Sequence, residues 1–330
     1  MVSPVPVDPS GVAGPTRDQA RGGSWRRVAA GLFVPAGTDS EPVAQRIVEA
    51  AGELPPYGGV TGWGALSWMG GRWFDGSDDR PVTLAIGEGN LRPDQRRVPS
   101  KERLAPDELI EHDGLLVTTP VRSVCFEMRY ARSVRAAVRV LELAAFSDLV
   151  SAAECQELVE ERLAGWTGVQ QCRDALPHAD ENVWSPMEHT MRFVWIDAGL
   201  PPPRCNVPVF DLDGRHIGTP DLIDPATGVV GEYDGFLHLT GSQRAKDLAR
   251  EERFRGHGLH PVAMVGADVA DPSAVVHRLH ASYARAVAAP VTDRRWTLQK
   301  PSWWQSTETV EQRRALDDLS RARLLAHRAA

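Results

Sequence analysis

The sequence predicts an α/β protein of the α+β type, in which a C-terminal core ordered α-β-β-β-α-β is joined to a separate N-terminal α+β and helical domain. Three observations predict it. Two extended runs, 217–222 and 229–234, flank the turn residues Pro225-Ala226-Thr227-Gly228 and read as a hairpin. A capped helix start at Ser185 precedes them, and a helix over 244–255 with a buried strand over 260–265 follows them. Upstream, a strand-rich stretch over 80–120 gives way to helical apolar spacing over 122–176. At 330 residues the chain is long enough for two such domains.

Composition narrows the class. Charged residues at 25% and apolar ones at 42% are ordinary for a globular protein, and the net charge of −7 argues against indiscriminate nucleic-acid binding while leaving room for a local basic groove. Cys125, Cys155, Cys172 and Cys205 form no CxxC pair, so neither a zinc site nor a disulfide framework is expected, and a reducing, cytoplasmic setting fits. No apolar stretch approaches the ~18 residues of a membrane span, and no secretory leader pattern opens the chain, so a membrane or exported protein is not expected.

Residues 1–24 are rich in Pro, Gly and Ser without apolar periodicity and read as a disordered lead. A binding or regulatory N-terminal domain is expected over 25–176. Its first helix is signalled by Val43, Ile47, Ala50 and Ala51. The Gly- and Trp-rich patch over 58–69 reads as a tightly packed small helix, since glycines allow close backbone approach and aromatics fill the space; DNA contact is the competing reading. Residues 82–86 and 115–119 are strand-like. The helices over 122–176 are expected to link the domains. Arg129, Arg132, Arg135 and Arg139 recur within them at three- and four-residue spacing, either as a phosphate-facing stripe or as a solvated helix face.

The second domain is expected over 185–290. Ser185 is the N-cap, Pro186 the first helical residue and Glu188 the third, the order of a capping box. Met187, Met191, Val194, Trp195 and Ala198 form the apolar stripe, and Gly199 ends the helix. A strand over 207–212 and an Asp213-Gly214 turn lead into the hairpin. A helix over 273–287 closes the domain. The remaining 291–330 is a basic, Trp-containing tail, eight Lys and Arg against five Asp and Glu, with a final amphipathic helix over 310–329.

The hairpin carries the chemistry. With 225–228 as its loop, Asp224 faces Val229, and counting outward sets Asp221 opposite Glu232. Opposed side chains have Cβ atoms about 4.5–5.5 Å apart, and like charges there are destabilising. A chain that keeps this arrangement has a use for it, and holding a cation is the natural one. Strand periodicity places Asp234 on the face of Glu232.

An ordered set of motifs runs from Ser185 to Glu188, through Gly199-Leu200-Pro201-Pro202-Pro203, Asp213-Gly214 and Asp221, to Glu232-Tyr233-Asp234-Gly235 with His238, and on to Asp247 and Arg250. In it, residues 185–269 resemble the PD-(D/E)XK nuclease superfamily, in its branch of bacterial proteins related to very-short-patch-repair endonucleases. The N-terminal part is more weakly similar to antitoxin-like regions of the same proteins. The resemblance implies a restriction-endonuclease-like core and a Mg²⁺-dependent DNA endonuclease, with Mn²⁺ as substitute and duplex, damaged or mismatched DNA as partner. It makes Asp221 and Glu232 metal ligands, the Tyr233 carbonyl a third, and brings Glu188 to the site directly or through water. Asp234 stands where the superfamily carries Lys. His238 then becomes the general base or acid, with Asp234 orienting it or binding metal.

Each residue also has a plain structural reading. Glu188 completes a capping box, Asp221 is a strand-end acid, and His238 is a surface histidine. Arg244, Lys246, Arg250 and Arg253 contact the DNA backbone, or else they pair with Asp247, Glu251 and Glu252 along one helix face. Glu232, inside an apolar strand, is hardest to dismiss, because an unpaired buried carboxylate is costly. The rival function is a non-catalytic DNA-binding or antitoxin-like regulator that retains the nuclease fold.

Overall fold

In the computed structural model, which describes residues 1–77, 80–234 and 241–328, the chain is a mixed α/β protein of two units, 1–179 and 180–330. In the first, β1 (Val5–Pro6), β2 (Trp25–Ala29) and β3 (Leu32–Pro35) form an antiparallel sheet in the order β1-β3-β2. The lead expected to be disordered is therefore held. Val5 pairs with Phe33 and Pro6 with Leu32, the Asp8 carboxylate collects the amides of Ser10, Val12 and Ala13, and Val2 exchanges two hydrogen bonds with the Gln45 side chain. Backbone and turn bonds order this segment, and they leave no trace in apolar periodicity.

Next come α1 (Val43–Ala51), β4 (Gly59–Thr61), α2 (Gly62–Trp68), β5 (Val82–Ala85), β6 (Arg97–Ser100), β7 (Leu109–His112) and β8 (Leu115–Thr118). The five strands make one mixed sheet, β6-β5-β4-β8-β7. The Gly- and Trp-rich patch supplies β4 and α2, and burial of Trp63 and Leu66 settles it as core packing. Helices α3 (Pro120–Tyr130), α4 (Val134–Phe146), α5 (Ala152–Glu161) and α6 (Val169–Ala175) pack on one another within this unit. They are part of its body, where a linker was expected. The arginine stripe does not exist either: Arg129 is buried at the end of α3, while Arg135 and Arg139 belong to α4.

The second unit contains α7 (Pro186–Asp197), β9 (Arg204–Cys205), β10 (Val209–Phe210), β11 (His216–Gly218), β12 (Leu222–Ile223), β13 (Val229–Asp234), α8 (Gly241–Gly256), β14 (His260–Val265), α9 (Ser273–Ala288), α10 (Val310–Arg314) and α11 (Asp318–Leu324). A four-stranded sheet runs β14-β13-β12-β9; β13 is antiparallel to β12 and parallel to β14. The run expected as one strand over 217–222 is split at Pro220. Its first half joins β10 in a two-stranded ribbon around the Asp213-Gly214 turn, and its second half enters the main sheet. Proline has no amide to give a ladder, so a strand changes partner there. The strand expected over 207–212 shrinks to Val209 and Phe210, and Arg204 and Cys205 take the sheet edge.

Side chains of β13 alternate between two cores. Val229 lies with Met191 and Trp195 of α7 and Leu279 of α9, whereas Val230 lies with Phe254 of α8, Ile223 and Trp296. Gly231 is closely packed: a Cβ there would fall 2.6 Å from the Met191 methyl and 3.1 Å from the Trp195 ring, so these neighbours would have to shift. The tail is not separate. Trp296 is 2% exposed in the second core, Thr297 bridges Phe210, and the Val310 amide donates to Glu181 at 2.7 Å. The single helix expected over 310–329 is two short ones, because Asp317 caps a new start by accepting from the Ser320 amide. Among the described residues no helix is long and apolar enough to cross a membrane.

Candidate functional site

The 225–228 turn sets the register of the site. Asp224 accepts from the Ala226 amide at 2.9 Å and the Thr227 hydroxyl at 2.7 Å, and its own amide donates to the Val229 carbonyl. Leu222 then pairs with Gly231 and Ile223 with Val230, so the next step outward sets Asp221 level with Glu232, as the sequence count requires. The regular ladder stops there. Asp221 replaces the missing backbone partner with its side chain: Oδ2 accepts from the Tyr233 amide at 2.7 Å. Amide and carbonyl of one strand residue point to the same side, so the Tyr233 carbonyl also faces the Asp221 edge.

Glu188 reaches the same place from the first turn of α7. Its amide donates to the Ser185 hydroxyl, and its carboxylate accepts from the Trp184 amide at 2.8 Å and from Asn206 Nδ2 at 2.7 Å. It is thus a helix-cap residue and a member of the acidic group together. It is 7% exposed. Burial, with the negative charge of Asp221 beside it, pushes its carboxyl up to about 8 against the hydrogen bonds that favour the anion. Burial raises Asp221 as well, opposed by the Tyr233 amide and the Arg250 charge. These two carboxyls resist ionising together.

Glu232 lies on the α8 face of the sheet, where its Oε1 is 2.8 Å from Arg250 Nη2. The same guanidinium donates to the Thr219 carbonyl and lies over the Phe254 ring. Arg250, read from the sequence either as a DNA-backbone contact or as an ion-pairing residue of the helix, is paired here with the acidic centre. Charge influence runs from Glu188 to Asp221 and from Asp221 to Arg250, which makes the direct pair with Glu232. Asp234 is exposed at the end of β13, on the face of Glu232. Arg253 is exposed on α8 and, after burial, is the main influence lowering the His216 pKa. His238 lies outside the described residues, as do the side chains of Arg244 and Lys246. No group of three or more His, Cys, Asp and Glu is arranged as metal ligands among the described residues.

Asn206 was missed by the sequence reading. It has φ +49, a left-handed conformation that asparagine tolerates. That turn lets one side chain tie the Asn182 carbonyl at 2.7 Å to Glu188, while its amide donates to the Asp221 carbonyl at 2.9 Å. Its Oδ1 is buried with no donor among the described residues. The only signal in the sequence is an Asn just past the Pro-rich link, which is weak.

Two curated relatives, both named as uncharacterised proteins of Mycobacterium tuberculosis strains, are each 29% identical over 157 residues, 47% of this chain and 57% of theirs. The chain thus spans little more than half the length of those relatives. No protein-family model matches the chain, and no solved structure matches it.

Proposed function

We propose that the second unit is a Mg²⁺-dependent DNA endonuclease, with Mn²⁺ as substitute, built on a restriction-endonuclease-like core. The order α7, β9, β12, β13, α8, β14, with an antiparallel meander joined by a parallel fourth strand, supports the fold. The observation that carries the function is the acidic centre: Glu188 from α7, Asp221 just before β12 and Glu232 from β13 are gathered around one another, with Arg250 paired to Glu232.

The donor set fits a hard divalent cation, which prefers carboxylate and carbonyl oxygen. Asp221, Glu232 and the Tyr233 carbonyl would hold it, with Glu188 next to them. The open acceptor of Asn206 suits a hydrating water. Bound there, the cation supplies polarisation of a phosphodiester and a water of lowered pKa. The protein's own part is in Glu188 and Arg250. Burial and the neighbouring Asp221 push Glu188 up to about 8 and so favour its protonated form, and a cation held beside it would favour the anion. Arg250 must leave Glu232 to free that carboxylate, and the released guanidinium is then placed for a substrate phosphate.

Two observations favour the second reading, a non-catalytic DNA-binding or antitoxin-like regulator. Asp234 occupies the position of the superfamily's lysine, and a guanidinium already neutralises Glu232. Incubation with single-stranded, duplex, nicked and mismatched DNA separates the two. Cleavage is expected with Mg²⁺ or Mn²⁺, and loss of it with EDTA, Asp221→Ala or Glu232→Ala. Cutting that survives both substitutions refutes the site. DNA binding without cutting of any substrate selects the regulator.

A further inference from the structure

At the opposite end of β13 from the acidic centre, a cavity of about 740 Å³ opens between the 225–228 turn, the end of α8, the start of β14, the end of α9 and the chain that follows it. Four arginines line it, Arg255, Arg285, Arg294 and Arg295, against one carboxylate, Asp293. Arg255 is paired with Glu251 at 2.6 Å. The other three have no carboxylate partner among the described residues; Arg285 bonds the Ser282 hydroxyl at 2.8 Å, and Arg294 bonds the Pro225 and Ala226 carbonyls at 3.1 and 3.4 Å.

Arg294 is held in place twice over, since its guanidinium also sits 3.9 Å above the Trp296 ring. That ring forms the cavity wall and is 2% exposed, yet its indole N–H has no acceptor among the described residues. The wall is tightly built. Gly228 has φ +73, and a Cβ there would fall 2.6 Å from the indole, so both conformation and space demand glycine. A concave site of this size suits a small ligand. Concentrated guanidinium groups, one of them fixed, with a spare buried donor beside them, suit an anion bearing several oxygens.

We propose that this cavity is a phosphate-binding site, separate from the acidic centre, that takes a pyrophosphate group or successive phosphates of a nucleic-acid backbone. Phosphate oxyanions match the surplus of positive charge, which a lone carboxylate would leave mostly unopposed. His260, also in the lining, has its pKa lowered by burial and then by the Arg285 charge, consistent with a positive local field.

The test uses the full chain in EDTA at constant ionic strength, so that it does not depend on cleavage or on metal. Calorimetric titration with pyrophosphate is expected to show binding that weakens about tenfold or more in Arg285→Gln/Arg295→Gln, the loss expected for charge-assisted hydrogen bonds. Arg294→Gln is expected to do the same, but Arg294 also braces the turn; the double variant avoids that brace, and thermal melting verifies its fold. Asp221→Asn should bind as the parent does. Parallel titrations with ATP and a single-stranded 12-mer identify the source: tighter ATP binding means a free nucleotide, and tighter oligonucleotide binding with a steep salt dependence means backbone phosphates. Absence of pyrophosphate binding at millimolar concentration overturns the proposal, as does binding that a folded double variant leaves unchanged or that Asp221→Asn abolishes.

Discussion

Each unit holds a carboxylate largely out of solvent, with opposite results. In the first, Glu102 meets Arg129 at 2.6 and 2.7 Å, Arg122 at 2.8 Å and the Tyr130 hydroxyl at 2.7 Å. Burial pushes its carboxyl up, but these donors outweigh burial and hold it at about 2. In the second, Glu188 is held at about 8 because burial is joined by a neighbouring negative charge and only neutral donors answer it. Satisfied carboxylates are architecture. The under-compensated ones mark where a cation or a proton is expected to come and go.

The largest expected effect breaks the satisfied side. Arg129 and Arg122 have side chains 0% and 2% exposed, stacked near Trp166. Glu102→Ala leaves both guanidiniums buried without their main counter-charge, which costs about 3–5 kcal/mol. Chemical denaturation of the first unit checks it. A loss below about 1 kcal/mol, the range of an exposed pair, would show that solvent already screens the cluster. Because the folded pKa of Glu102 is depressed, its contribution is present above the unfolded pKa and fades as pH falls from about 4.5 toward 2.

The second unit should show the opposite pH dependence. Glu188 has a raised folded pKa, so between about 4.5 and 8 the folded state binds more protons than the unfolded one, and metal-free stability falls as pH rises through that window. Glu188→Gln should flatten that slope. If Mg²⁺ binds these carboxylates, protons compete with it, so the stabilisation by Mg²⁺ should be larger at pH 8 than at pH 6; for a ligand of the folded state it reaches about 2.7 kcal/mol at a hundred times Kd. Melts in EDTA and in Mg²⁺ over pH 5–9 read both. A slope unchanged in Glu188→Gln would mean that the residue is not the buried proton carrier.

A smaller effect tests the Arg250 pair. If Arg250 occupies the place of a cation at Glu232, Arg250→Gln should tighten Mg²⁺ binding on the order of tenfold, since a positive charge a few ångströms away is removed. Weaker binding in that variant would mean that Arg250 positions the ligands and does not compete for them.

What the sequence carried and what it hid follow from the range of the forces involved. Strands β13 and β14 were legible because each is an apolar run bounded by turn residues, and the short turn between Asp224 and Val229 fixes the register of Asp221 against Glu232. The Ser185 cap was legible for the same local reason. The division of one apparent strand at Pro220 was hidden because both halves keep extended backbone and differ only in partner. The β1 pairing, the Arg250–Glu232 contact and the bridge through Asn206 all join residues distant in sequence by side-chain or backbone bonds that no periodicity announces.

The smallest expected effect is the sharpest, because two small terms of opposite sign meet at Glu232. Glu232→Gln removes an ion pair whose partners are 25% and 36% exposed, worth about 0–1 kcal/mol. It also removes the like charge level with Asp221, a relief of similar size. Metal-free stability should therefore change by no more than about 0.5 kcal/mol, while the melting-temperature gain from Mg²⁺ nearly disappears, because a charged ligand oxygen has been lost. Scanning calorimetry of parent and variant, each in EDTA and in Mg²⁺, separates the terms. A metal-free variant destabilised by several kcal/mol with its Mg²⁺ response intact would make Glu232 the counterpart of Glu102, an architectural partner of arginine, and would remove it from the proposed centre.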